Sequence, residues 1–138
     1  MDKALDLKRM IHRSRNVVFF TGAGISTESG IPDYRRPGGI WTKMAPIQFQ
    51  DFLNSEDMRR ETWRRKFETD KTLRTAKPNE GHYAIERLIS SGKASVVITQ
   101  NIDNLHQDSG IPEEKVIELH GNGTFASCLT CGTRYELE

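Results

Sequence analysis

The chain has 138 residues, 36% of them apolar and 28% charged, and a net charge of +1 at neutral pH. That is enough chain to bury one core, the composition is neither that of a disordered nor of a membrane-spanning chain, and the near-zero charge implies no bulk pull toward nucleic acid or anionic lipid. Charges spread over residues 1–15 in place of an export signal, no apolar run long enough for a bilayer, and only two cysteines set the expectation of a reducing, cytoplasmic setting.

In chain order, residues 4–14 read as an amphipathic helix with Ala4, Leu7, Met10 and Ile11 on one face. Residues 17–20, Val-Val-Phe-Phe, form a continuous apolar run suited to a strand buried on both faces. A turn with Gly22, Gly24 and Gly30 follows, and Pro32, Pro37, Gly38, Gly39 and Pro46 then mark a long loop, the kind that carries function. Residues 48–67 read as mostly helical, and their aromatic side chains Phe49, Phe52, Trp63 and Phe67 are expected to pack. The basic stretch 58–66 reads as a solvated helix face in preference to an anion-docking surface.

Pro78-Asn79 restarts a helix with Ala84, Ile85, Leu88 and Ile89 as its buried stripe and Gly92 at its end. Residues 95–99 are a second buried-type strand. Asp103 stands where a helix N-cap belongs, Gly110 ends that short helix, and residues 116–119 are a third strand. Strands alternating with helices predict an α/β fold with a mainly parallel, Rossmann-like sheet and flanking helices.

Four motifs carry chemistry. Glycines directly after a strand let a backbone approach a pyrophosphate, and the segment that follows offers free N–H donors. Thr27 stands where the dinucleotide fingerprint wants glycine, so an ordinary dehydrogenase fits poorly, and a tight turn without ligand stays open. At the second strand end, Thr99-Gln100-Asn101-Ile102-Asp103 supplies amide and carboxylate groups that can grip a carboxamide; helix capping is the alternative for Asp103. His120, followed by Gly121, ends the third strand, where an imidazole can serve as a general base or simply pack. His12 reads as solvated, and His82 and His106 as structural. Cys128 and Cys131 have the spacing of a zinc knuckle, with a redox pair as rival; Gly132 suits the knuckle, whereas a redox pair should open a helix.

The fourteen residues Gly22-Ala23-Gly24-Ile25-Ser26-Thr27-Glu28-Ser29-Gly30-Ile31-Pro32-Asp33-Tyr34-Arg35 resemble the signature of the sirtuin family, with Tyr34 where phenylalanine is usual. Residues 99–103 resemble that family's nicotinamide-pocket motif, and Glu118-Leu119-His120-Gly121 its catalytic motif. The resemblance points to a bacterial member and to an NAD-dependent protein lysine deacylase. NAD is then a cosubstrate and an acyl-lysine protein or peptide the partner, with no nucleic acid or membrane involved.

It implies that Gly22, Ala23, Gly24 and Ser26 serve the NAD phosphates and nearby ribose, and that Asp33 and Arg35 organise the cofactor loop. Tyr34 shields the reacting ribose from water. Gln100 touches ribose, Asn101 and Asp103 hold nicotinamide beside Ile102, and His120 takes a proton from a ribose hydroxyl. Some sirtuins that remove acidic acyl groups carry a Tyr-x-x-Arg pair; the best match here is Thr62-Trp63-Arg64-Arg65, which makes Arg65 the candidate for acyl choice.

Residues 1–121 are then a partial NAD-binding domain with an insertion at 36–77, and 122–138 the start of a zinc ribbon. Cys128 and Cys131 supply half of a structural zinc site. A second pair usually follows after roughly fifteen to twenty residues, and seven residues follow Cys131. Sirtuins resembling this chain continue for about another hundred residues, within the size of an ordinary domain. The expectation is therefore a fragment with impaired activity, an exposed sheet edge and a tendency to self-associate. A non-catalytic NAD or ADP-ribose binding module and a zinc-dependent interaction module are the alternatives.

Overall fold

The structure is a computed structural model that describes residues 2–33, 39 and 44–137. Helix α1 (Lys3–Arg13) leads into β1 (Val17–Thr21) and a 3-10 helix (Ala23–Ser29). Helices α2 (Phe49–Asn54), α3 (Glu56–Thr75) and α4 (Glu80–Ser90) follow. Then come β2 (Ala94–Thr99), α5 (Leu105–Asp108), a second 3-10 turn (Glu113–Lys115), β3 (Val116–Glu118) and the hairpin β4 (Phe125–Ser127) and β5 (Arg134–Glu136).

Strands β1, β2 and β3 form one parallel sheet in that order, with Thr21 level with Thr99 and Thr99 level with Glu118. Parallel neighbours need crossover connections, and α4 supplies one. Its Ile85 and Ile89 pack with Val97 and Ala94 of β2 and with Ile111 to make the core, flanked by Val17, Phe19, Ile25, Leu88 and Val116. Side chains alternate across a strand. Phe19, Val97 and Val116 therefore face α4, while Val18, Phe20 and Ile117 point the other way.

That second face corrects the reading of β1 as a strand buried on both sides: Val18 and Phe20 are 50% and 64% exposed. Helix α1 likewise forms where its spacing predicts, but buries no residue, and Leu7 and Met10 stay open to solvent. Its last turn is held by Lys93, whose ammonium donates to the carbonyls of His12 and Ser14.

The predicted helix at 48–67 is two helices, broken at Ser55, whose hydroxyl accepts the Met58 N–H and caps α3. The basic stretch is neutralised locally. Arg60 pairs with Glu56, Arg64 with Glu61 and Glu68, and Lys66 with Asp70, while Arg59 donates to the carbonyls of Phe52 and Leu53. Such i,i+3 and i,i+4 pairs support a solvated helix. Phe49 stacks on Phe52 and Trp63 on Phe67, yet Phe49 and Phe67 remain largely exposed. Among the described residues no helix is long and apolar enough to cross a membrane.

Candidate active site

The carboxyl ends of β1 and β2 lie side by side, and the Gln100 N–H donates to the Thr21 carbonyl at 3.0 Å. Two loops leave this point. The first is the glycine turn, which enters the 3-10 helix through extended Gly22 and leaves it through Gly30 at φ 86°, a left-handed value that favours glycine. Gly24 is different. Its φ is not positive, and a Cβ built on it meets nothing within 4 Å, so neither backbone strain nor internal packing requires glycine there. The bare backbone there leaves room for close approach of a group from outside the chain, as a pyrophosphate needs.

The second loop carries Gln100, Asn101, Ile102 and Asp103, and the two are cross-linked. The Ser26 hydroxyl donates to Asp103 Oδ2 at 2.6 Å. The Asn101 amide Nδ2 donates to the Gly22 carbonyl at 3.1 Å and to Ser26 Oγ at 3.2 Å. Asp103 Oδ1 accepts the Leu105 N–H at 3.0 Å, so the carboxylate caps α5 as its position predicts, although the residue flanking the helix is Asn104, at φ 64°. Ser26 is fully enclosed, and its hydroxyl braces the Asp103 carboxylate.

His120 lies two residues beyond β3 and is exposed. Its Nδ1 is 3.0 Å from the Gln100 carbonyl oxygen. A carbonyl only accepts, so Nδ1 carries the proton and Nε2 presents its lone pair. The loop after it is held by the Gly123 N–H donating to the Ile102 carbonyl at 2.7 Å, so close that a Cβ on Gly123 would stand 2.8 Å from that oxygen. Asn122 donates to Glu118 and to Asn104, and Gln107 donates to the same Glu118 oxygen, which ties the His120 loop to α5.

Sequence reading missed these polar ties, and also Asn79. The Asn79 side chain caps α4 in a reciprocal box with His82, and its Nδ2 reaches the Ile25 carbonyl and Ser29 of the glycine turn. An Asn before a helix signalled the cap, but nothing local signalled a partner some fifty residues away.

Asp33 and Ala23 are described and lie along the glycine turn and the loop it opens, whereas Tyr34 and Arg35 lie outside the described residues. Arg65 lies on α3, where its guanidinium donates to Glu61 at 2.7 Å and to the Ala45 carbonyl at 2.7 Å. Two of its five N–H donors are thus engaged within the chain.

The two cysteines sit at the tip of the β4–β5 hairpin, in a turn closed by the Gly132 N–H donating to the Cys128 carbonyl, with Gly132 at φ 74°. No helix opens at Cys128, so the geometry follows the knuckle and departs from the redox arrangement. Cys131 Sγ lies 3.1 Å from the Thr133 hydroxyl, which with the Thr133 backbone and Cys128 lowers its thiol to about 7. Among the described residues no three His, Cys, Asp or Glu side chains gather as a metal site. A four-ligand structural zinc is therefore not formed by these residues alone, though two thiols on such a turn fit half of one.

A family model described as the Sir2 family matches residues 22–138. Over 129 residues the chain is 55% identical to NAD-dependent protein deacetylase 1 of Bradyrhizobium diazoefficiens and 54% identical to an NAD-dependent protein deacetylase of Rhodopseudomonas palustris. Each match takes in 94% of this chain and 51% of the relative. Among solved structures, a mutant Sir2 homologue in complex with ADP-ribose superposes with a TM-score of 0.83 at 32% identity, covering 99% of this chain and 53% of the other. A Sir2 complex with a p53 peptide and NAD+ does so with a TM-score of 0.78 at 40% identity, covering 99% and 52%. The chain thus spans about half the length of the relatives it matches.

Proposed function

The chain belongs to the Sir2 family, and from that premise we propose that it serves NAD-dependent removal of acyl groups from protein lysines, with release of nicotinamide and transfer of the acyl group to ADP-ribose. The observation that carries this reading is the tautomer of His120. Its Nδ1–H is held by the Gln100 carbonyl, leaving an exposed Nε2 lone pair beside the loop that carries Asn101 and Asp103. A base that is to take a proton from a ribose hydroxyl needs that lone pair, and the same loop that orients the imidazole carries the candidate nicotinamide contacts.

Bound NAD supplies the bond to nicotinamide that breaks and the ribose that receives the acyl group. The chain's own residues do the rest. Gly22, Ala23 and Gly24 offer backbone to the phosphates. Gln100 faces the ribose, Asn101 and Asp103 orient the carboxamide, and Ile102 lines the same loop. Ser26 keeps the Asp103 carboxylate in place. Asp33, Tyr34 and Arg35 take the parts of the cofactor loop, with Tyr34 excluding water from the reacting ribose.

A role for Arg65 in acyl choice finds no support in its contacts, which fix α3 to the Ala45 carbonyl. Cys128 and Cys131 would furnish two ligands of a structural zinc, the others coming from outside these residues. The division into a cosubstrate-binding part, 1–121, and a zinc-ribbon part, 122–138, is supported by the separation of the strands into two sheets.

The test is NAD-dependent nicotinamide release by the purified chain with an acetyl-lysine peptide, beside His120→Ala. Loss of at least a hundredfold in the variant, the usual weight of a general base, is the expected result; equal, measurable release by both would remove His120 from the chemistry. The second reading is an NAD or ADP-ribose binding module, favoured by the intact glycine turn in a chain that spans half its relatives. ADP-ribose binding without nicotinamide release in the wild-type chain would select it.

A further inference from the structure

Directly beneath the site lies a chain of buried polar groups that the proposed chemistry does not use. Thr21, Thr99 and His106 are 8%, 3% and 1% exposed. Thr21 and Thr99 stand level at the ends of β1 and β2, and the Thr21 hydroxyl donates to Thr99 Oγ1 at 2.9 Å. Thr99 Oγ1 also accepts the backbone N–H of Asn101 at 3.0 Å, closing a tight turn over the residues that leave the strand. His106 Nε2 lies 2.9 Å from Thr21 Oγ1.

With its proton given to Thr99, Thr21 has only lone pairs to offer, so His106 donates from Nε2 and its Nδ1 is left bare. Nδ1 is indeed buried with no hydrogen-bond partner. A fully enclosed imidazole with one satisfied edge and one orphaned edge costs more than an apolar side chain of the same size. The single bond it does make must therefore matter, and that bond leads through two hydroxyls to the Asn101 peptide.

We propose that His106 is a positioning residue, whose Nε2–H acts through Thr21 and Thr99 to fix the Asn101 peptide and so to aim the Asn101 amide at the nicotinamide carboxamide. A threonine hydroxyl swings with its side-chain rotamer, and bonding to the N–H two residues on is only one of its options. The Thr21 hydroxyl selects that rotamer, and His106 holds the Thr21 hydroxyl in turn. The inference rests on the reading of Asn101 as a nicotinamide contact.

The experiment uses the 138-residue chain and three variants. Thr21→Val removes the hydroxyl at nearly constant shape. His106→Leu fills the space without a donor, and His106→Gln returns an N–H to the position of Nε2. Amide hydrogen exchange at Asn101 is read in ligand-free protein against Val97 in the core strand, and nicotinamide affinity is read with ADP-ribose saturating.

Thr21→Val and His106→Leu are expected to speed Asn101 exchange relative to Val97 about tenfold, the weight of one lost buried hydrogen bond. They should weaken nicotinamide by a similar factor, with ADP-ribose affinity unchanged within about twofold, and His106→Gln should recover both readouts. Asn101 and Val97 exchange rising together in every variant would mean that His106 serves only general stability, and would overturn the proposal. Asn101 exchange that responds while nicotinamide affinity does not would overturn the reading of Asn101, and the role of His106 in recognition with it. An Asn101→Ala control that binds nicotinamide normally identifies that case.

Discussion

His82 and His106 meet edge to face at 5.0 Å, both fully enclosed. Burial pushes both imidazoles down, against a smaller opposing pull from the Asp103 carboxylate. For His106, where the neighbouring His82 charge adds to the effect of burial, the value falls from 6.5 to about 4. Between those two values the unfolded chain binds protons that the folded chain refuses. Stability therefore falls as pH drops through that window and is complete only above it. The shift at His106 corresponds to roughly 3 kcal/mol in the low-pH limit. Thermal melts should be flat near pH 7 and decline steadily toward pH 4, with a shallower decline in His106→Gln. A variant as pH-sensitive as the wild type would show that His106 is not the group being forced to charge.

Among the elements, α4 does more than cross between strands. Its N-terminus is closed by the Asn79–His82 box, and the same Asn79 amide is bonded to the Ile25 carbonyl at 2.7 Å and to Ser29 Oγ at 2.9 Å. One side chain thus starts the helix that packs the core and holds the turn proposed to receive the phosphates. Asn79→Ala should cost about 2 kcal/mol in urea unfolding, a cap plus the ties to the turn. Asn79→Asp, which keeps an acceptor for the cap but loses both donors, should cost about half that. Equal losses in the two variants would mean the ties to the turn contribute nothing. By contrast α3, with its acidic first turn and Arg74 in the last, complements its own dipole and pairs many of its charges along its own length.

On the scale of the whole molecule, the described residues cover one face of the sheet. Val18, Phe20, Ile117 and Leu119 are between 45% and 64% exposed, and the first three share the face opposite α4. A contiguous apolar sheet face in water drives association, because burying each such side chain is worth about 1.5–3 kcal/mol. Sedimentation velocity over a concentration series should show reversible self-association. Replacing Phe20 and Ile117 together by threonine should weaken it at least tenfold. A wild-type chain that stays monomeric at about 100 μM would contradict this account of the open face.

Much of this was legible along the chain, because the signals are local. Continuous apolar runs marked the strands, the 3.6-residue stripe of Ile85 and Ile89 marked α4, and the glycine turn and residues 99–103 sat directly after strands where ligand groups collect. The described motif residues are hydrogen-bonded to one another, Ser26 to Asp103 and Asn101 to Gly22, pairings that no local signal announced. What only the tertiary structure decided depends on which strand lies beside which. Parallel register set Thr21 against Thr99, and the fold brought the His106 imidazole to 2.9 Å from the Thr21 hydroxyl. The Gln100 carbonyl chose the tautomer of His120 from twenty residues away. The apolar run of β1 was a faithful signal for a strand, but whether its second face is covered depends on what packs there, and periodicity carries no information about that.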